Sequence, residues 1–96
     1  MREPVIGGLV TARAGRDRGG KFLIVGYDGE AYVMIADGAA RRMGKPKKKK
    51  LMHVHIEPAC AEAVRLKLEK GEAVQDAEIR KAIAELTDKR RENQEG

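Results

Sequence analysis

Three runs of β-favouring residues in the first 38 positions are separated by turns that contain glycine, and this pattern constrains the fold most. Residues 9–14 alternate between apolar and polar side chains, while residues 21–27 and 31–36 are rich in Val, Ile and Tyr, which favour strands. The Asp28-Gly29 pair is a strong hairpin signal, because glycine accepts the positive φ that such turns require. Residues 39–50 are expected to be a basic connection with no strong period, and residues 51–56 alternate again, with Met52, Val54 and Ile56 on one face. Four short strands predict a small, strongly bent antiparallel barrel.

The pattern becomes helical at Glu57-Pro58, since proline suits the first turn of a helix. Asp76 is a suitable N-cap for a second helix. Apolar residues recur at helical spacing in both segments, at Ala61, Val64, Leu68, Ile79, Ile83 and Leu86. We therefore expect residues 1–56 to form a mainly β domain and residues 57–96 to form a short extension of two helices. The helices would pack on or beside the barrel, or alternatively present a docking surface to a protein partner.

Positive charge is concentrated in the first part of the chain. Residues 1–56 hold 12 Lys/Arg and 5 Asp/Glu, a net charge of +7, whereas residues 57–96 hold 8 and 10, a net charge of −2. Such an asymmetry is expected when one half of a protein meets a polyanion.

Two basic clusters carry most of this charge. The denser one comes later in the chain, with seven Lys/Arg and no acid in residues 41–50. Binding of phosphates would relieve the repulsion among these cations, and counterions would be released from the nucleic acid. The first surrounds a glycine-rich turn at residues 15–20, where arginine's planar fork suits phosphate oxygens. A solvated loop, a basic targeting signal and an ordinary polar turn are the alternatives. We predict nucleic-acid contacts on one shared surface from Arg13, Arg16, Arg18, Lys21, Arg41, Arg42, Lys45, Lys47, Lys48, Lys49 and Lys50.

The order of strand, basic glycine loop and strand over residues 8–37 resembles the KOW motif of ribosomal and transcription-linked proteins, with Gly19 as the counterpart of the near-invariant loop glycine. The resemblance continues through residues 35–38, Arg41-Arg42, residues 45–51 and His53. Together these residues are similar to the KOW-containing large-subunit ribosomal protein family numbered fourteen of archaea and eukaryotes. The tail differs, because that family usually continues into longer basic helical extensions, whereas here it is short and slightly acidic, as in compact bacterial KOW proteins.

This resemblance implies an SH3-like barrel that binds ribosomal RNA through its loops. Carried over by position, the first-loop contacts would be Arg16, Arg18 and Lys21. The second-loop contacts would be Arg41, Arg42, Lys45 and Lys47 to Lys50. Ribosomal RNA and ribosomal proteins are then the expected partners.

Enzymatic and metal chemistry find little support in the sequence. The chain has no serine, no paired carboxylates for acid–base work and no G-x-x-x-x-G-K-[ST] loop. His53, His55 and Cys60 are close in sequence, but no further ligand of comparable quality accompanies them. We expect no enzyme activity, cofactor, metal or small-molecule substrate.

The same sequence predicts a cytoplasmic protein without a membrane partner, because it has no signal-peptide pattern and no apolar run near the roughly 20 residues that span a bilayer. The predicted function is RNA binding, in association with the large ribosomal subunit. The alternative is a protein-interaction module that docks a translation or transcription partner through the barrel or the helical tail.

Overall fold

The computed structural model describes residues 3–95, with side chains described for residues 3–88. One antiparallel sheet contains five strands, namely β1 (Gly8–Ala12), β2 (Lys21–Asp28), β3 (Tyr32–Ala36), β4 (Lys47–Lys50) and β5 (Val54–Cys60). A 3-10 turn over Leu51–His53 joins β4 to β5, and the helices α1 (Glu62–Glu69) and α2 (Asp76–Glu95) follow. The predicted combination of antiparallel strands and two helices is confirmed, although α2 is long, not short.

The sheet is strongly curled because its two edges are joined by a very short connection. Its strand order is β4-β3-β2-β1-β5, and five flat strands would separate the edges by about 19 Å. The chain from Lys50 to Val54 can reach at most about 14 Å. Among the described residues β4 and β5 do not pair with each other, so the sheet stays open and a closed barrel is not confirmed.

Both faces of the curled sheet are buried. One face holds a cluster that includes Phe22, Ile24 and Ile35. On the opposite face, Leu9 and Leu23 pack with helix residues that include Val64 and Ile79. The helices cover a face of the sheet that would otherwise be exposed to water. Fully burying one such side chain contributes about 1.5–3 kcal/mol to the stability of the fold.

The β2–β3 hairpin lies where the Asp28-Gly29 pair predicts it. Asp28 pairs with Tyr32, and Gly29 adopts a φ of +74° in the connecting turn. The first predicted strand is slightly shorter than expected, since β1 ends at Ala12.

The prediction that a helix begins at Glu57-Pro58 is wrong, because these residues belong to β5 and α1 begins only at Glu62. Within residues 3–95, β5 pairs with β1 alone, with Gly8 opposite Cys60 and Val10 opposite Ile56. Two extra residues of β5 are therefore accommodated between these pairs. Proline lacks a backbone N–H, and an irregular edge strand is where a sheet tolerates it.

The expectation that residues 39–50 are only a connection is also wrong, because four lysines form β4. Lys49 lies opposite Val33, and Lys47 lies opposite Ile35. The following three residues form a 3-10 turn instead of the predicted strand start. Met52 consequently projects outward instead of joining the predicted apolar strand face.

The second helix begins at Asp76, so Asp76 is its first residue and not the predicted N-cap. The Glu78 carboxylate accepts the backbone N–H of Gln75 at 2.8 Å, the reciprocal half of a capping box. Over the residues described, neither helix combines the length and apolar character needed to cross a membrane.

Candidate nucleic-acid interface

The first basic loop, residues 13–20, is a compact turn held by its own backbone. Gly19 donates its N–H to the carbonyl of Ala12 at 2.8 Å, and Gly20 donates to the carbonyl of Asp17 at 2.9 Å. Gly19 adopts a φ of +87°, which glycine accepts most readily. Arg16 and Arg18 are exposed, so their guanidinium groups are presented to solvent.

The second basic loop, residues 37–46, is organised by its first side chain. Asp37 Oδ1 accepts the backbone N–H of Ala39 at 2.9 Å and that of Arg41 at 2.8 Å. An aspartate whose side chain accepts hydrogen bonds from the backbone N–H groups that follow it in the chain fixes the start of a turn. Arg42 and Lys45 lie exposed in this loop.

The two loops meet at one carboxylate, that of Asp17. Asp17 Oδ2 lies 3.0 Å from Arg41 Nη2, and Asp17 Oδ1 accepts a hydrogen bond from Arg41 Nε at 3.2 Å. The Asp17 side chain is only 11% exposed. This bidentate contact of a carboxylate with a guanidinium fixes geometry as well as contributing energy, so the first loop is held against the second at this point.

Lys49 extends the same junction from the strand β4. Its side chain is buried, and its Nζ donates to the carbonyl of Ala14 at 2.8 Å while lying 4.0 Å from Asp17 Oδ2. Successive side chains of a strand point to opposite faces. Lys49 therefore points beneath the first loop, whereas Lys48 and Lys50 point away and are exposed.

The helix α2 holds the second loop from the other side. Asp76 Oδ1 accepts the backbone N–H of Met43 at 2.7 Å, and the Arg80 guanidinium donates to the carbonyl of Gly38. Gly38 adopts a φ of +76°, and a Cβ at this position would lie 2.3 Å from the carbonyl oxygen of Asp76. The loop can therefore approach the helix this closely only because residue 38 is glycine.

Seven of the eleven predicted contact residues have exposed side chains, and Lys47 is half-buried. The exposed ones are Arg13, Arg16, Arg18, Arg42, Lys45, Lys48 and Lys50. Three others have internal partners, since Lys21 pairs with Glu57, Arg41 pairs with Asp17, and Lys49 bonds to Ala14. The side chains of Lys21 and Arg41 are 35% and 30% exposed, whereas that of Lys49 is buried.

Lys21 belongs to a part-buried polar cluster that joins β1, β2 and β5. Its Nζ donates to Thr11 Oγ1 at 2.6 Å and lies 3.2 Å from Glu57 Oε2, while the Thr11 hydroxyl donates to the same Glu57 oxygen at 2.6 Å. Glu57 is buried, and a buried carboxylate is tolerated only when it is paired and hydrogen-bonded.

Lys48 has two weak partners at the surface. Its Nζ lies 3.0 Å from Asp28 Oδ2 and 4.6 Å from the centre of the Tyr32 ring. Exposed ion pairs contribute about 1 kcal/mol or less, so a phosphate can replace the Asp28 carboxylate as the partner of Lys48.

The two histidines lie at the start of β5 or just before it, whereas Cys60 is the last residue of that strand. His53 lies in the 3-10 turn, and His55 lies on β5 with its Nε2 3.9 Å from Glu57 Oε1. Burial, with a further contribution from Glu62, raises the pKa of the Cys60 thiol above its ordinary value, so the thiol stays protonated at neutral pH. Within the described part of the chain, no three His, Cys, Asp or Glu side chains are grouped as a metal site would require.

Sequence reasoning missed the acidic residues that organise the site. Asp17 is the sole acid between Glu3 and Asp28, and its isolation between two arginines was the available signal. Glu57 and Asp76 gave no such signal, because their partners Lys21 and Met43 are more than thirty residues away.

The contact between Asp17 and Arg41 links two loops that expose Arg13, Arg16, Arg18, Arg42 and Lys45, while Lys48 and Lys50 are exposed on β4. No protein-family model matches the chain, and no curated protein matches it significantly.

Proposed function

We propose that the protein binds RNA through the phosphate backbone, using the two basic loops as a single surface. The observation that carries this proposal is the contact between Asp17 and Arg41, which places the first loop beside the second. Cations held close together on a folded surface repel one another, and this repulsion contributes nothing to the stability of the fold. A polyanion neutralises them and gains entropy from counterion release.

Recognition would be led by phosphates and would depend on RNA shape. Arginine and lysine contacts to phosphates fix position but carry little sequence information, and folded RNA is read largely through its shape. RNA, as opposed to DNA, is proposed from the resemblance to KOW ribosomal proteins. The same resemblance supports ribosomal RNA of the large subunit as the target, and hence a cytoplasmic location.

We also propose that the curled sheet corresponds to an SH3-like barrel of the KOW type. The three-residue connection between the edge strands brings the two ends of the sheet together, as a small barrel requires. The positive φ of Gly19 agrees with its assignment as the KOW loop glycine.

Charge reversal on the exposed loop residues tests this function. In the double variant Arg16→Glu, Arg18→Glu, we expect affinity for a structured RNA, measured by fluorescence anisotropy, to fall by about tenfold or more, because two phosphate contacts become repulsive. The matched control is Lys70→Glu, Lys81→Glu, which makes the same change in net charge at exposed positions just after α1 and within α2. It should leave affinity nearly unchanged.

Equal losses in both double variants would mean that only net charge matters, and would contradict a localised surface. Retained affinity in the loop variant would remove the first loop from the interface. If no structured RNA binds, while a translation or transcription protein is retained by both variants, the protein-interaction alternative is favoured.

A further inference from the structure

An open groove lies where the sheet fails to close, between the end of β4 and the start of β5. It has a volume of about 1520 Å³, and its apolar lining includes Tyr32, Leu51 and Met52. Arg13, Lys50 and His55 also line it, together with the single acidic residue Glu3, so the two Arg/Lys cations outnumber the acid. None of these apolar and cationic side chains is part of the contact between the two basic loops.

Met52 is the feature of this groove that the fold does not explain. Its side chain is 74% exposed, whereas the adjacent Leu51 packs against the core of the sheet. A single exposed apolar residue is ordinary. Here, however, the flexible thioether shares a groove with Tyr32, and methionine adapts well to flat apolar surfaces.

The cations of the groove connect it to the proposed RNA surface. Arg13 lines the groove and is also the first residue of the loop that carries Arg16 and Arg18. Its backbone N–H is bonded to the carbonyl of His53 at 2.8 Å, which ties the loop to the 3-10 turn. A phosphate backbone that crosses the first loop would therefore continue into the groove.

We propose that the groove binds an unpaired nucleotide of the RNA, with the base against Met52 and Tyr32 and a phosphate near Arg13 and Lys50. This inference rests on the proposed RNA binding. A nucleotide combines an apolar ring face with negative charge, and base stacking on protein side chains does not depend on sequence. An acidic peptide would match the charge and could pair with the open edges of β4 and β5, but it lacks the apolar ring face that would cover Met52 and Tyr32, so it is the alternative that the test must exclude.

The test compares two RNAs, a blunt duplex and the same duplex with an unpaired overhang, by fluorescence anisotropy. We expect the overhang to strengthen binding by about fivefold or more, the lower range for one stacked base. The variant Met52→Ala should lose this preference and keep its affinity for the blunt duplex. The matched control Leu66→Ala, at an exposed apolar position of α1, should keep both.

The outcomes separate this inference from the proposed function. If the protein binds both RNAs equally, or if Met52→Ala keeps the preference, the groove is not a nucleotide site although RNA binding stands. If polyglutamate displaces the overhang RNA from the protein and fails to bind Met52→Ala, the groove is a peptide site and the inference is overturned. If neither RNA binds, the proposed function fails and the inference fails with it.

Discussion

A single acidic residue determines how the basic residues around it are arranged. The carboxylate of Asp17 is nearly buried between Arg41 and Lys49. By charge alone it should weaken the binding of a polyanion. If the protein binds RNA as proposed, we expect the opposite effect, because the Asp17–Arg41 ion pair connects the first loop to the second.

The variant Asp17→Asn separates these two effects because they have opposite signs. The substitution raises net charge by one, so simple electrostatics predicts tighter RNA binding. We expect weaker binding, by about threefold to tenfold, together with a loss of roughly 1–2 kcal/mol in the free energy of unfolding, because a part-exposed charged hydrogen bond is removed. RNA titration and urea denaturation measure the two quantities.

Asp28→Asn is the matched control for Asp17→Asn. It makes the same change in charge, but the ion pair of Asp28 with Lys48 is exposed. RNA affinity should hold or rise slightly in this control. If Asp17→Asn also binds RNA more tightly, the carboxylate does not position the loops.

At the level of elements, β4 and α2 decide how the basic segments are presented. Strand formation divides the lysine run, so that Lys49 turns inward while Lys48 and Lys50 face solvent. The start of α2 then holds the second loop through Asp76 and Arg80. The slightly acidic tail therefore supports the basic surface instead of opposing it.

Gly38→Ala tests whether contact with α2 matters for the second loop. Alanine at a positive φ costs about 1 kcal/mol, and here its Cβ would also collide with the backbone of Asp76. We expect a lower Tm and weaker RNA binding. Gly29→Ala is the control, since its φ of +74° is similar but nothing lies within 4 Å of the added Cβ. Equal Tm losses in the two variants would show that the contact with α2 is unimportant.

The start of α2 also carries a pH-dependent contribution to stability. The Gln75 N–H, followed by the Lys67 ammonium, lowers the pKa of Glu78 below its ordinary value. A carboxylate with a lowered folded-state pKa contributes stability above its unfolded-state pKa, and this contribution is lost as pH falls through the folded-state pKa. Glu78→Gln should therefore reduce the midpoint of urea denaturation at neutral pH and have little effect at strongly acidic pH. An equal reduction at both pH values would contradict this origin.

In the molecule as a whole, positive and negative charge are concentrated in different halves of the chain. The seven exposed cations of the proposed interface lie within residues 13–50, while residues 57–96 carry a net charge of −2. Binding led by these cations must weaken as salt rises.

We expect log affinity for structured RNA to fall linearly with log salt, with a slope no steeper than about −6 for seven phosphate contacts. In a cell extract, the protein should sediment with the large ribosomal subunit at low salt and leave it at high salt. A slope near zero would contradict phosphate-led binding. A protein that stays at the top of the gradient at every salt concentration would contradict ribosome association.

The features that could be predicted from the sequence each depend on neighbouring residues. They are the strands β1 to β3, the hairpin at Asp28-Gly29, and the helical spacing of apolar residues around Val64 and around Ile79. Alternation, turn residues and helical periodicity are local, so a linear sequence displays them directly. The same holds for the basic character of the two loops.

The remaining features of the fold and of the candidate site depend on residues that are far apart in the chain. Lysine has a low strand propensity, so β4 forms only because β3 supplies a pairing edge, and Pro58 enters β5 only because that strand lies at the edge of the sheet. The choice of which cations support the fold and which face solvent follows from Asp17 and Glu57 meeting Arg41 and Lys21. Such pairings are set by the curl of the sheet, and no local pattern in the sequence records them.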